Sequence, residues 1–232
     1  MIRIVAVSDT HNQLNKVDLP EGDILVHAGD LTMGGSVPEL TKLNVHLGKI
    51  KNKYRHVLLC VGNHDLLFEA DEHHARNFIT NATVLIDQEI VVDGIKFFFS
   101  PWQTWFHNWA FNFPEHDRET CAIAAEKYEH IPNDTDVLVT HGPPYMMLDK
   151  VDHYSPKNIR GLHVGCPALA KRVDVIKPIL HVFGHIHASY GKVVTDQTTF
   201  VNASICTEQY LPHNKPWVID IEKRTKHEFE PD

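Results

Sequence analysis

Five apolar runs in this chain each stop on a short polar cluster, and no other feature constrains the fold as strongly. Ile2 to Val7 ends in Ser8-Asp9-Thr10-His11, and Asp23 to Ala28 ends in Gly29-Asp30. His56 to Val61 runs into Gly62-Asn63-His64-Asp65. Asp136 to Thr140 stops at His141-Gly142-Pro143-Pro144, and Ile179 to Phe183 at Gly184-His185-Ile186-His187. Short runs rich in β-branched residues and bounded by turn residues read as buried strands. Between the early strands, Leu40, Leu43 and Leu47 follow a helical period over 37–49, with Ser36, Pro38 and Glu39 marking the start. Segments 69–78, 115–130 and 167–175 are also expected to be helical. Strands alternating with helices predict an α/β fold, with the ligand site at the carboxyl ends of the strands.

From residue 83 the pattern changes. Segments 83–86, 89–92 and 96–100 read as short strands, with Asp93-Gly94 as a hairpin turn. Further strands are expected at 191–195, 199–203 and 217–221. They predict a second sheet packed on the first. No repeat, linker or low-complexity tract divides the 232 residues, so one domain over 1–232 is expected. The polar stretch 149–165 has little periodicity, and loops of that length are often functional.

Composition narrows the function. The formal net charge is −8, which argues against wrapping long nucleic acid. It leaves room for a small nucleotide, because bound metal can override the global field. The four cysteines, Cys60, Cys121, Cys166 and Cys206, have neither zinc-ribbon nor thioredoxin spacing. They suit a reducing compartment. No signal peptide or membrane span is read from the sequence, so a cytoplasmic protein is expected. Histidine stands out at 18 residues and hints at metal.

Taken singly, each polar cluster has a structural reading. Asp9 and Asp30 could cap turns, and a histidine after a strand is usually only a histidine. His27 and His181 lie within strands and read as core or supporting residues, and His73, His74 and His130 as surface. The clusters together are another matter. Asp9-x-His11, Gly29-Asp30, Gly62-Asn63-His64-Asp65, Thr140-His141-Gly142 and Gly184-His185-Ile186-His187 resemble, in order, the motifs of calcineurin-like metallophosphoesterases. The resemblance spans about residues 1–205. It implies two mixed β-sheets packed as a sandwich and flanked by α-helices.

The resemblance also implies a dinuclear centre, with Asp9, His11, Asp30 and His187 on one metal and Asp30, Asn63, His141 and His185 on the other. Two metals about 3.5–4 Å apart clamp the attacking and leaving sides of a phosphoester and acidify water. The implied nucleophile is a metal-bridging hydroxide. His64 is implied to reach the substrate as donor or general acid, and Asp65 is expected to hold its imidazole. Imidazole and carboxylate without thiolate suit Mn, Fe, Zn or Ni, with manganese favoured. Two divalent ions against two aspartates leave about +2 formal charge. A hydroxide and a diester monoanion would neutralise it, which favours a phosphodiester.

Further segments resemble a narrower branch, the brain-expressed metallophosphoesterase-domain-containing proteins. They are Val7 to His11, the aromatic loop Pro101-Trp102-Gln103-Thr104-Trp105-Phe106, Thr140 to Pro144, His163-Val164-Gly165-Cys166 and Asn202-Ala203-Ser204. Some members of that branch lack the first histidine of the last motif. This chain keeps His185, so a full second site is expected. Beside Asn63 and His64, the substrate wall is expected to include Trp105, Asn108 and His163. A small phosphodiester is the expected substrate, with cyclic nucleotides suggested by resemblance to class III phosphodiesterases. A phosphomonoesterase, a protein phosphatase and a non-catalytic binding scaffold are the alternatives.

Overall fold

The computed structural model describes residues 1–151 and 161–222. The middle of the polar stretch, 152–160, and the charged tail, 223–232, lie outside the described residues.

The first half alternates strand and helix: β1 (Ile2–Val7), β2 (Ile24–Ala28), α1 (Val37–Ile50), β3 (His56–Cys60), α2 (Leu66–Ala70), α3 (Glu72–Arg76) and β4 (Thr83–Val84). Then come β5 (Gln88–Val92), β6 (Ile95–Ser100), α4 (Asp117–Thr120), α5 (Ala122–Glu129) and β7 (Val137–Thr140). The remainder is β8 (Lys150–Val151), β9 (Leu162–His163), α6 (Pro167–Ile176), β10 (Leu180–Phe183), β11 (Gly191–Val194), β12 (Thr199–Asn202) and β13 (Trp217–Ile221).

Two mixed sheets result. One has the order β13-β1-β2-β3-β4 and the other β11-β12-β10-β7-β6-β5. In the first, β1 to β4 are parallel and β13 caps the edge antiparallel to β1. In the second, β6, β7, β10 and β12 are parallel, flanked by antiparallel β5 and β11.

Strand periodicity sorts the core into three layers. Ile4, Ala6, Ile24, Val26 and Leu58 meet Phe97, Phe99, Val139 and Val182 between the sheets. The intervening residues Val5, Val7, Leu25 and Leu59 face the other way and pack on Leu40, Leu43 and Leu47 of α1. On the far side Phe98 and Leu138 pack with Tyr128 of α5 and Leu169 and Val173 of α6. Both faces of each sheet are therefore covered, which is why the runs are almost continuously apolar. Burying a side chain such as Phe97 or Phe99 is worth about 1.5–3 kcal/mol.

Two helices expected as continuous are broken. Segment 69–78 becomes α2 and α3, because Asp71 stops one helix and accepts the His74 N–H at 2.9 Å to start the next. Segment 115–130 becomes α4 and α5, split at Cys121, whose φ is 51°. The strand expected at 83–86 shrinks to two residues against β3.

Candidate metal centre and substrate cavity

The carboxyl ends of β1, β2 and β3 meet those of β7 and β10 along one edge of the sandwich. Backbone bonds tie the ends together, with Asp9 N–H donating to Gly29 O at 2.9 Å and Gly184 N–H to His141 O at 2.9 Å. The turns are tight. Gly29 has φ +105°, and a Cβ on Gly184 would overlap the Asp9 carboxylate and Ser8. Asp9, His11, Asp30 and His185 all have positive φ, at 51°, 41°, 54° and 66°. Such backbone is uncommon outside glycine and clusters at functional sites.

Two groups of side chains converge there. Asp9, His11 and His187 form one and Asp30, His141 and His185 the other, with His11, Asp30 and His64 as a third that overlaps the first two; the ligand atoms of each lie within 4.8 Å of one another. Asp30 stands between them. Its Oδ1 is 3.4 Å from His141 Nε2 and its Oδ2 is 3.8 Å from His11 Nε2. Asn63 joins the second group through Oδ1, 2.8 Å from His141 Nε2.

The donors and acceptors in this cluster are mismatched in a way a cation resolves. A backbone carbonyl only accepts, so His141 Nδ1, 3.0 Å from Ala28 O, carries a proton. His187 Nδ1 is likewise committed to Thr207 O at 2.9 Å. When neutral, each ring turns a bare Nε2 lone pair inward, which either a proton or a cation would answer. His141 Nε2 faces two acceptor oxygens, and His187 Nε2 faces His11 Nε2 at 3.2 Å. The Nδ2 of Asn63 is buried without a hydrogen-bond partner. Asp9 and Asp30 are buried, and their described ion-pair partners are all histidines. Buried carboxylates need a compensating positive charge.

Electrostatics agree. Burial opposes protonation of His141, yet Asp30 and then Asp9 outweigh it and raise its pKa to about 9. His187 is raised through Asp9, also against burial. Burial pushes His185 down to about 3 and His11 down to about 4, so both are neutral and carry lone pairs. The two carboxylates are held well below their ordinary range by the histidines around them, despite burial. Oxygen and imidazole donors with no thiolate fit a pair of divalent ions.

Side chains outside the two groups hold these residues in place. The hydroxyl of Ser204 donates to Asp9 Oδ2 at 2.8 Å, and His185 N–H donates to both Asp9 oxygens. His27 and His181 are fully buried and bond Thr10 and Thr140, each at 2.9 Å. They support the strand ends, as the sequence suggests. His73, His74 and His130 are exposed.

The Asp65 expectation needs correction. Its carboxylate is turned away from the imidazole and accepts from Gly62 N–H, Leu31 N–H, Thr32 N–H and the Thr32 hydroxyl. Burial and the neighbouring Asp30 push its pKa up to about 6, against those four donors. The His64 ring is held instead by the Met33 carbonyl, 2.8 Å from Nδ1. That leaves Nε2 4.0 Å from Asp30 Oδ2.

A cavity of about 530 Å³ opens over Asp30, Asn63, His64, His185 and His187. Trp105 and His163 line it. Asn108 does not: it is exposed, and Trp109 takes the inward place with its ring 4.2 Å from that of His64. Tyr210 is a further wall residue, edge-on to His11 at 4.8 Å. Nothing in the sequence singles out Tyr210 or the Met33 carbonyl. Trp109 is visible only as one of several aromatics in its loop.

A mixed two-sheet sandwich carrying a buried Asp/His/Asn cluster at its strand ends defines a metallohydrolase class. Residues 2–189 match the family of calcineurin-like phosphoesterases. The chain belongs to that family of metal-dependent phosphoesterases. The human protein named metallophosphoesterase domain-containing protein 1 is 38% identical over 243 residues, covering 94% of this chain and 71% of that protein. UPF0046 protein K07C11.7 of Caenorhabditis elegans is 35% identical over 238 residues, covering 97% and 77%. One solved crystal structure superposes with a TM-score of 0.56 at 15% identity, covering 86% of this chain and 89% of the other, and shows the fold alone.

Proposed function

We propose that this chain hydrolyses a small phosphodiester, with cyclic nucleotides the leading class, and that His64 assists at the substrate. The observation that carries the reading is the meeting of His141 Nε2, Asn63 Oδ1 and Asp30 Oδ1, three acceptors that only a cation or a proton reconciles. Asp9, His11, Asp30 and His187 would hold one divalent ion, and Asp30, Asn63, His141 and His185 the other. When bound, the pair supplies Lewis acidity and an activated water.

The protein's own groups do the rest. His64 keeps Nδ1–H on Met33 O, so its Nε2 is the nitrogen that meets a phosphate oxygen or the leaving group. Trp109 packs against that ring. Among the described residues lining the cavity there is no Lys or Arg. That favours a diester monoanion over a more highly charged monoester. The apolar wall, including Trp105, Phe106 and Leu162, suits a small organic ester rather than an extended polymer. Manganese and a cytoplasmic location belong to the same proposal, supported by the thiolate-free donor set and by four cysteines none of which is in a disulfide. No helix among the described residues is long and apolar enough to cross a membrane.

The test is hydrolysis of an aryl phosphodiester and the matching monoester with added Mn²⁺, with chelator, and in His64→Ala. Diester turnover should need metal and fall by about 10²–10⁴-fold in the variant. Monoester preference would move the reading to a phosphatase. Bound metal without turnover of either ester would favour a binding scaffold.

A further inference from the structure

A second histidine–carboxylate pair stands in the cavity wall, outside both metal groups. Asp149 is fully buried, and its Oδ1 lies 2.5 Å from His163 Nδ1. Its Oδ2 accepts the N–H groups of Met146 and Gly165, each at 3.0 Å. A carboxylate fixed by two backbone donors is a rigid acceptor, so Nδ1–H of His163 must point at it. Nδ1 is thereby committed, and Nε2 is the nitrogen His163 offers to the cavity.

Main-chain bonds set the position of the pair. Lys150 of β8 pairs with His163 of β9, and Pro144, three residues past His141, bridges to Cys166. The Thr104 hydroxyl, from the aromatic loop, donates to Val164 O at 3.1 Å. The pair thus joins the strand end that carries His141 to the loop that carries Trp105 and Phe106. Tyr145 lies edge-on to His163 at 5.8 Å. A polar nitrogen is held rigidly in a wall that also carries Trp105, Phe106, Tyr145 and Leu162. A wall that only excluded water would not need a buried carboxylate to orient it.

We infer that His163 is the residue that selects the organic part of the substrate. Its Nε2 hydrogen-bonds the polar edge of a planar heteroaromatic ring packed against the aromatic wall, and Asp149 is its positioning residue. This rests on the phosphodiester reading above and deepens it by naming the side chain that reads the ring of a heteroaromatic phosphodiester.

The experiment is calorimetric binding of a cyclic purine nucleotide and of diphenyl phosphate to the manganese-loaded protein, with turnover measured in parallel. Both ligands are diester monoanions with aromatic rings, but only the first has a hydrogen-bonding ring edge. His163→Ala should weaken nucleotide binding about tenfold, the worth of one hydrogen bond to a buried polar group, and leave diphenyl phosphate within about twofold. His163→Gln should recover part of the loss. Asp149→Asn should show the same selectivity, and adding it to His163→Ala should cost nothing further. In turnover KM rises while kcat stays within about threefold. Equal loss for both ligands, no loss for either, or a wild-type protein that binds no nucleotide would overturn the inference. Selective loss of nucleotide binding without any turnover would support it and refute hydrolysis. Metal-dependent diester turnover indifferent to His163→Ala would do the reverse.

Discussion

Neighbouring residues in the third motif serve different tasks. His64 and Asp65 are adjacent in sequence, yet one faces the cavity and the other is buried beneath it, holding Gly62, Leu31 and Thr32. Asp65 therefore clamps the turn after Asp30 to the turn before Asn63, fixing the spacing of those two residues. Asp65→Ala leaves several buried donors unpaired and should cost about 3 kcal/mol. Urea unfolding of the manganese-loaded protein would measure it, and a loss under about 1 kcal/mol would deny the clamp. The residues that converge at the strand ends were legible in the sequence because oxygen and imidazole donors are carried by particular residues. The orienting groups of His64, His141 and His187 were not, because all three are backbone carbonyls, of Met33, Ala28 and Thr207, which any residue could supply. Asn108 was misplaced for a related reason. The positive φ of His107 and Phe111 turns the aromatic loop so that Trp109 enters the cavity.

At the scale of elements, strands were easier to read than helix ends. Runs such as Ile24–Ala28 are buried on both faces and carry an unbroken signal, whereas helix breaks depend on single residues. The start of α1 was legible because Ser36 and Glu39 mark it: the carboxylate accepts from Ser36 N–H at 2.8 Å. It also accepts from Met33 N–H at 3.2 Å, tying α1 to the loop that orients His64. Less visible is Asp117, which accepts from Ile123 and Ala124 N–H at 3.0 and 2.9 Å and so caps α5 across the break at Cys121. Burial works against its ionisation, but these donors prevail and hold its carboxyl below the usual range. A depressed folded-state pKa stabilises above the unfolded value, near 4, and is lost as pH falls through the folded one. Asp117→Ala should lower the melting temperature by about 2–4 °C at neutral pH. The difference from the parent should vanish in acid, as thermal scans across pH would show.

For the whole molecule, the sandwich is stable through its three apolar layers, while the site loads buried charge onto one edge. Two carboxylates, Asp9 and Asp30, face histidines there without a lysine or arginine among their described ion-pair partners. Metal bound only by the folded chain adds stability by mass action, about 2.7 kcal/mol at a hundredfold excess over Kd. Chelation should accordingly lower the melting temperature by several degrees, and Mn²⁺ should restore it; a chelator-insensitive transition would argue against a built metal centre. The sandwich and the convergence of five strand ends were readable from where polar clusters interrupt apolar runs. The cavity was not, since its walls come from loops as distant in the chain as those of His64 and Tyr210 and no local period encodes their meeting. Central to the account is that one edge carries two metal sites sharing Asp30. The most direct measurement is manganese titration by calorimetry with metal content determined on the same samples. Wild type should take up two ions per chain, His141→Ala and His187→Ala one each, and Asp30→Asn should weaken both. A wild-type protein that binds a single ion or none, or single-ligand variants that keep both, would contradict it.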